Sequence, residues 1–159
     1  MNTAYYDSPV GLIEITEENG FITKLIFTDK KSNLSNKQNK SEVLIEAINQ
    51  LNEYFSGKRM DFNLPLKQSG TPFQEKAWLY LKTIPYGETV SYKKEAEAIG
   101  SPNAVRAVGS ANGNNNIAII VPCHRVINTG GKLGGYAYGL PIKEKLLKME
   151  KEYLKGFWS

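Results

Sequence analysis

The chain has one cysteine and one histidine, and they are neighbours: Pro122-Cys123-His124-Arg125-Val126 follows the apolar run Ile117-Ala118-Ile119-Ile120-Val121. A thiol, an imidazole and a guanidinium delivered together from a buried segment suit nucleophilic chemistry. The thiolate is the reactive species, and a free thiol with a pKa of ~8.5 needs an activating neighbour at neutral pH. His124 adjoins Cys123 in sequence, so direct side-chain contact is awkward and a bridging water is the simpler geometry. A third group would then fix the imidazole tautomer. On residue type alone, the alternative for Cys123 is a small buried apolar side chain.

The candidate third group lies in the last helical pattern, expected from Pro141 onward. Ile142, Leu146, Leu147, Met149, Tyr153 and Leu154 share one face at ~100° per residue, and Glu150 falls in the middle of it. A carboxylate there needs a partner, because an unpaired buried charge is strongly penalised. His124 and Arg125 are the candidates, and a Glu150 turned outward at the helix end is the alternative. Lys143 sits at the edge of the same face in the first turn, where it is expected to reach solvent.

The elements that must position these groups occupy the second half of the chain. Thr71-Pro72-Phe73-Gln74 is a capping box with proline in the first helical position, and Phe73, Ala77, Trp78, Leu81 and Ile84 follow on one face. Ser91 to Ile99, closed by Gly100, and a second helix opened by Ser101-Pro102 and running from Asn103 to about Ala111 give a helix-turn-helix outline. That second helix carries small residues (Ala104, Val105, Ala107, Val108, Gly109, Ser110, Ala111) and a single charge, Arg106. It reads equally as a surface for close approach to a partner or as a packed core helix with Arg106 at its rim. Asn112 to Asn116 is turn chemistry leading to the cysteine strand. Gly134 to Gly139, holding Tyr136, Ala137 and Tyr138, suits a mobile lid over a flat ligand and matches no phosphate-binding glycine pattern.

The first half reads as an antiparallel meander (Tyr5 to Ile15, Phe21 to Phe27), a polar loop (Lys30 to Lys40) and a helix from Ser41 to Gly57, with no chemistry in it. Lys58 to Gly70 is the expected linker, giving domains at 1–68 and 69–159. At 159 residues and 41% hydrophobic the chain can build a core. It has neither a leader-like start nor an apolar stretch near the ~18 residues of a membrane span, so a soluble cytoplasmic protein is expected. The net charge of +4 is uneven. Residues 1–68 hold 8 Lys and Arg against 9 Asp and Glu, whereas 69–159 hold 12 against 7. The basic half suggests an anionic partner such as nucleic acid, or else a solvated lysine-rich surface.

Residues 119–126 (Ile-Ile-Val-Pro-Cys-His-Arg-Val) resemble the active-site signature of the methylated-DNA–protein-cysteine methyltransferases, the O6-alkylguanine-DNA alkyltransferases. Tyr86-Gly87-Glu88-Thr89-Val90-Ser91-Tyr92, the Asn103 to Gly109 helix, Asn115, Gly135-Tyr136, and Lys143-Glu144 through Glu150 match the family in order and spacing. The resemblance covers residues 70 to 155. It implies an α/β (α+β) fold: an N-terminal ribonuclease-H-like sheet-and-helix domain followed by a helical C-terminal domain containing the helix-turn-helix. It also implies irreversible, single-turnover transfer of an alkyl group from O6-alkylguanine, and from O4-methylthymine, to Cys123.

By the same resemblance His124 is a water-mediated base, Glu150 orients it, and Tyr92 donates to the base as it leaves. Arg106 fills the gap left by the flipped nucleotide and Asn115 is the hinge, with Ala107, Tyr92 and Arg125 also facing DNA. The base pocket comprises Tyr92, Val126, Tyr136, Ala137 and Tyr138, with the carbonyls of Cys123 and Val126 on the base. No cofactor or metal is implied, since the zinc ligands of some relatives are missing. The expected partner is double-stranded DNA holding the lesion, entered through the minor groove by a monomer, associated with the nucleoid in a prokaryote. Ala137 and Tyr138 replace smaller or hydroxyl-bearing residues of some relatives, which predicts a tighter pocket mouth. Three rivals remain distinguishable: a damage-recognition module, of a kind that lacks the cysteine, a sequence-reading regulator and a cysteine hydrolase.

Overall fold

The computed structural model describes residues 1–31 and 41–157, so most of the expected Lys30 to Lys40 loop lies outside the described residues. The chain divides into two compact units, Met1–Gln68 with Asn116–Ala118, and Ser69–Asn115 with Ile119–Ser159. Residues 116–118, expected in the second domain, join the first unit.

In the first unit, β1 (Asn2–Ser8), β2 (Gly11–Glu18) and β3 (Phe21–Phe27) form an antiparallel sheet in the order β1-β2-β3. Alternation buries Ile13 and Ile15 on one face of β2 and Leu25 and Phe27 on β3, and a shift in register opposite Thr16 and Glu17 brings Ile22 into the core as well. Helix α1 (Glu42–Phe55) packs Leu44, Ala47, Leu51 and Tyr54 into the unit's core, and the Ser41 side chain caps its N-terminus by accepting from the Leu44 amide. The expected linker is tethered rather than free. Ile22 N–H donates to Pro65 O at 2.8 Å and Lys67 N–H to Ile22 O at 3.0 Å, so residues 65–67 run along β3. On the same strand, Leu25 N–H donates to Asn116 O and Ala118 N–H to Leu25 O, both at 2.8 Å.

The second unit opens with α2 (Pro72–Leu81), whose capping box has both reciprocal bonds between Thr71 and Gln74. Trp78 anchors it, donating from its indole to Ala111 O at 2.8 Å. Next come β4 (Val90–Ser91), α3 (Tyr92–Ala98) and α4 (Val105–Gly113). The Ser91 hydroxyl caps α3 by accepting from the Lys94 amide at 3.0 Å. The expected Ser101 cap of α4 does not form. Ser101 to Ala104 is a turn, Ala104 N–H donating to Ser101 O, and Ala104 precedes α4 without a side-chain cap. Helix α4 also runs two residues past its expected end, taking Asn112 and Gly113 out of the predicted turn.

The cysteine segment is not the strand its apolar run suggests. Residues 118–120 turn, Ile119 adopts φ 70° although β-branched, and residues 123–125 form a single 3₁₀ turn. A short apolar run fits any buried backbone, and here left-handed geometry at Ile119 breaks the extension. A two-residue strand, β5 (Val126–Ile127), then pairs in parallel with β4, Val90 opposite Val126 and Ser91 opposite Ile127. Helix α5 (Leu140–Phe157) completes the unit, with Leu146 fully buried. No helix among the described residues is long and apolar enough to cross a membrane.

Candidate active site

Glu150 is fully buried on α5 and satisfied on both oxygens. Oε2 meets His124 Nε2 at 2.7 Å and accepts from Arg125 Nη2 at 3.1 Å, while Oε1 accepts from Arg125 Nε at 2.8 Å and from Gly87 N–H at 3.2 Å. Burial alone would raise this carboxyl, but the His124 and Arg125 contacts more than offset it and hold the group well below the usual carboxylate range. An ionised carboxylate only accepts, so the proton between Glu150 and His124 belongs on Nε2. His124 Nδ1 then carries a lone pair. It is buried and has no hydrogen-bond partner. Burial, partly opposed by Glu150, pushes the His124 pKa down and keeps the ring neutral. Gly87 permits this approach. It adopts φ +78°, and a Cβ there would lie 2.5 Å from Leu154 Cδ2.

Cys123 is buried at the start of the 3₁₀ turn. Asn115 Nδ2 donates to Val121 O at 2.8 Å and approaches Cys123 Sγ at 3.4 Å. Burial pushes the thiol pKa up, against the Asn115 hydrogen bond and the charge of Lys143. Asn115 is itself buried, which corrects the expectation that it contacts DNA, while its bond to Val121 O ties the end of α4 to the cysteine segment, where the hinge was expected.

Arg125, also expected to contact DNA, is another correction. It is buried, its Nε and Nη2 are committed to Glu150, and Nη1 donates to Ile84 O at 2.8 Å. All three of its nitrogens are engaged inside the unit, and a buried guanidinium is not placed to meet a phosphate.

Lys143 is the residue the sequence reading missed. Expected at the solvent edge, it is fully buried. Nζ donates to Val126 O at 2.7 Å and Gly135 O at 2.9 Å, and approaches Tyr92 Oη at 3.4 Å. Burial lowers its pKa to about 8, partly countered by Cys123. Three acceptors gathered from separate segments explain why a lysine can lie inside. The sequence signals were its place on the edge of an apolar face and the match of Lys143-Glu144 to the family in order and spacing. The Val126 carbonyl expected to hold a base already accepts from Lys143, which leaves one lone pair of that oxygen for a second donor. Tyr92 Oη donates to Gly135 O at 3.3 Å, so the glycine-rich loop is pinned from two sides. At Gly134, φ +72°, a Cβ would come within 2.8 Å of the Tyr92 ring, so the close seating of this loop requires glycine.

A cavity of about 420 Å³ lies over this assembly, walled by Tyr92, Arg106, Gly109, Cys123, Tyr136 and Ala137 among others. Arg106 and Ala107 are exposed on α4, whose buried face is Val108, Ala111 and Asn112. This favours the close-approach reading of that helix over the core-helix one. Val126 and Tyr138, expected in the pocket, do not line it. Val126 is fully buried and Tyr138 packs edge-on against Tyr136 with centroids 5.5 Å apart. The structure thus brings together Cys123, His124, Glu150, Tyr92, Tyr136 and Ala137, adds Lys143, and moves Arg125 and Asn115 to internal roles.

Residues 1–68 match the ribonuclease-like domain of 6-O-methylguanine DNA methyltransferase and residues 72–152 match its DNA-binding domain. The chain is 48% identical to a constitutive methylated-DNA–protein-cysteine methyltransferase of Bacillus subtilis (strain 168), over 91% of this chain and 92% of that protein. It is 48% identical to a methylated-DNA–protein-cysteine methyltransferase of Methanosarcina barkeri, over 95% and 99%. Among solved structures, Mycobacterium tuberculosis OGT in complex with DNA superposes with a TM-score of 0.87 at 43% identity, over 96% of this chain and 94% of that one. A buried thiol, imidazole and carboxylate thus sit beside an exposed small-residue helix in a chain matched along nearly its whole length, and the protein belongs to the 6-O-methylguanine DNA methyltransferase family.

Proposed function

We propose that this protein repairs alkylated DNA by direct reversal, moving the alkyl group of O6-alkylguanine onto Cys123 once per molecule. The observation that carries this reading is the buried His124–Glu150–Arg125 cluster beside the only thiol, with the His124 Nδ1 lone pair uncommitted. Nδ1 takes the thiol proton through a bridging water. The thiolate attacks the alkyl carbon, an S–C bond forms, the C–O6 bond breaks and its electron pair stays with the base. Tyr92, turning its hydroxyl proton away from Gly135 O, supplies the donating contact to the departing ring, and Lys143 beside its oxygen steadies the anionic charge that passes between thiolate and base. A thioether has no easy leaving group, so the protein is spent.

The lesion lies inside a duplex, so the base must be extruded at a cost of a few kcal/mol. Helix α4 supports entry from the minor groove. Its exposed small residues allow close approach, and Arg106 can occupy the vacated stack. The basic second half supplies the phosphate attraction, and a monomer suffices. O4-methylthymine presents the same O-methyl carbon and is the expected second substrate. Counting methyl transfer from O6-methylguanine duplex tests the reading. Transfer should saturate at one equivalent per protein, and continued turnover beyond one equivalent would exclude it.

A further inference from the structure

Glu95 on α3 is a buried acid that the mechanism does not use. It is fully buried, and one oxygen accepts from Asn112 Nδ2 at 2.8 Å while the other has no hydrogen-bond partner. No cation pairs with it among the described residues. Asn112, on α4, contributes to the wall of the cavity that holds Cys123 and Tyr92, so Glu95 lies directly behind that wall. The titratable groups it acts on are Tyr80 from α2, Tyr92 one turn earlier on its own helix, and Cys123 from the 3₁₀ turn. Helix α4 offers only the neutral amide of Asn112. A carboxylate with one neutral donor and no countercharge is poorly compensated, and its ionised form opposes any second anion nearby.

We propose that Glu95 is a positioning residue for the thiol chemistry: ionised, it sets an anion behind the pocket wall that adds to burial in favouring the thiol form of Cys123, and neutral, it lifts that addition. This rests on Cys123 being the acceptor. Around the thiol, Lys143 and the Asn115 amide favour the thiolate while burial and Glu95 disfavour it. Burial raises the Glu95 pKa to about 7, partly countered by Asn112, so the charge switches near neutral pH. Reactivity then gains less from rising pH than a lone thiol would, because each step toward thiolate is accompanied by ionisation of Glu95.

The test uses iodoacetamide, which reports on Cys123 alone because it is the only cysteine. Its alkylation rate against pH is measured for the folded wild type, Glu95→Gln, which keeps an acceptor for Asn112, and Glu95→Leu. The wild-type logarithmic profile should break to a shallower rise near pH 7 and resume above it. Both variants should rise without a break, match the wild type below it and exceed it by about two- to three-fold above it. Superimposable profiles would overturn the proposal, and so would a constant ratio at every pH, which is what a purely structural role gives. If neither variant folds, an unbroken wild-type profile overturns it and a break near 7 supports it. Parallel transfer from O6-methylguanine duplex separates the two readings: thiol profiles as expected with no methyl transfer would overturn the proposed function and leave the role of Glu95 standing.

Discussion

Glu150 meets more than a histidine. Its hydrogen bonds also neutralise Arg125 and fix the amide of Gly87, so one carboxylate joins α5, the 3₁₀ turn and the segment before β4. Glu150→Gln keeps the shape but can donate where Nε2–H or a guanidinium must be accepted. It leaves Arg125 buried without a countercharge, and breaking such a pair by removing one partner costs about 3–5 kcal/mol. The expected outcome is a matching loss in denaturant unfolding together with transfer slowed roughly 10²- to 10⁴-fold at neutral pH, the usual scale of a positioned base. An unchanged rate in folded Glu150→Gln would remove the orienting role. Lys143, by contrast, belongs to the thiol side, where it meets Val126 O, Gly135 O and the Tyr92 hydroxyl.

At the scale of elements, the two-residue pairing of β4 with β5 sets Tyr92 next to the end of the cysteine turn, and α4 presents Arg106 at the cavity rim. Arg106→Ala should slow transfer from duplex DNA by about ten-fold or more while leaving reaction with the free O6-methylguanine base within about two-fold, because only the duplex requires extrusion. Equal slowing on both substrates would place Arg106 in the chemistry instead. Much of this was legible. The Thr71 capping box, the Ser91 start of α3 and the placement of Glu150 on an apolar face follow from spacing and residue type. The path of residues 117–121 was not, because nothing in an isoleucine announces a positive φ. The burial of Lys143 was equally hidden, since its acceptors come from Val126, Gly135 and Tyr92 and exist only once the fold has formed. Arg125 and Asn115 were misplaced for the same reason. Polar types in a DNA-binding half suggest outward roles, and only the packed unit shows them turned inward.

The molecule as a whole carries an acid–base signature from Glu95. Its carboxyl is protonated more readily in the folded state than in the unfolded chain, so folding stability falls as pH rises from about 4.5 to about 7. The loss is fully present above that window and amounts to about 3 kcal/mol on the linkage relation. Denaturant unfolding of Glu95→Gln at roughly pH 5 and roughly pH 8 should show the variant gaining on the wild type between the two, with most of that gain by neutrality. A constant difference at both would mean that Glu95 titrates normally. The central claim concerns Cys123, the sole thiol of 159 residues. It is tested most directly by incubating the folded protein with O6-methylguanine duplex and weighing its peptides. The peptide containing Cys123 should gain the mass of one methyl group, in step with loss of the lesion, and Cys123→Ala should bind the duplex without change in mass. Lesion loss with no adduct on that peptide, or an adduct that persists in Cys123→Ala, would contradict the account.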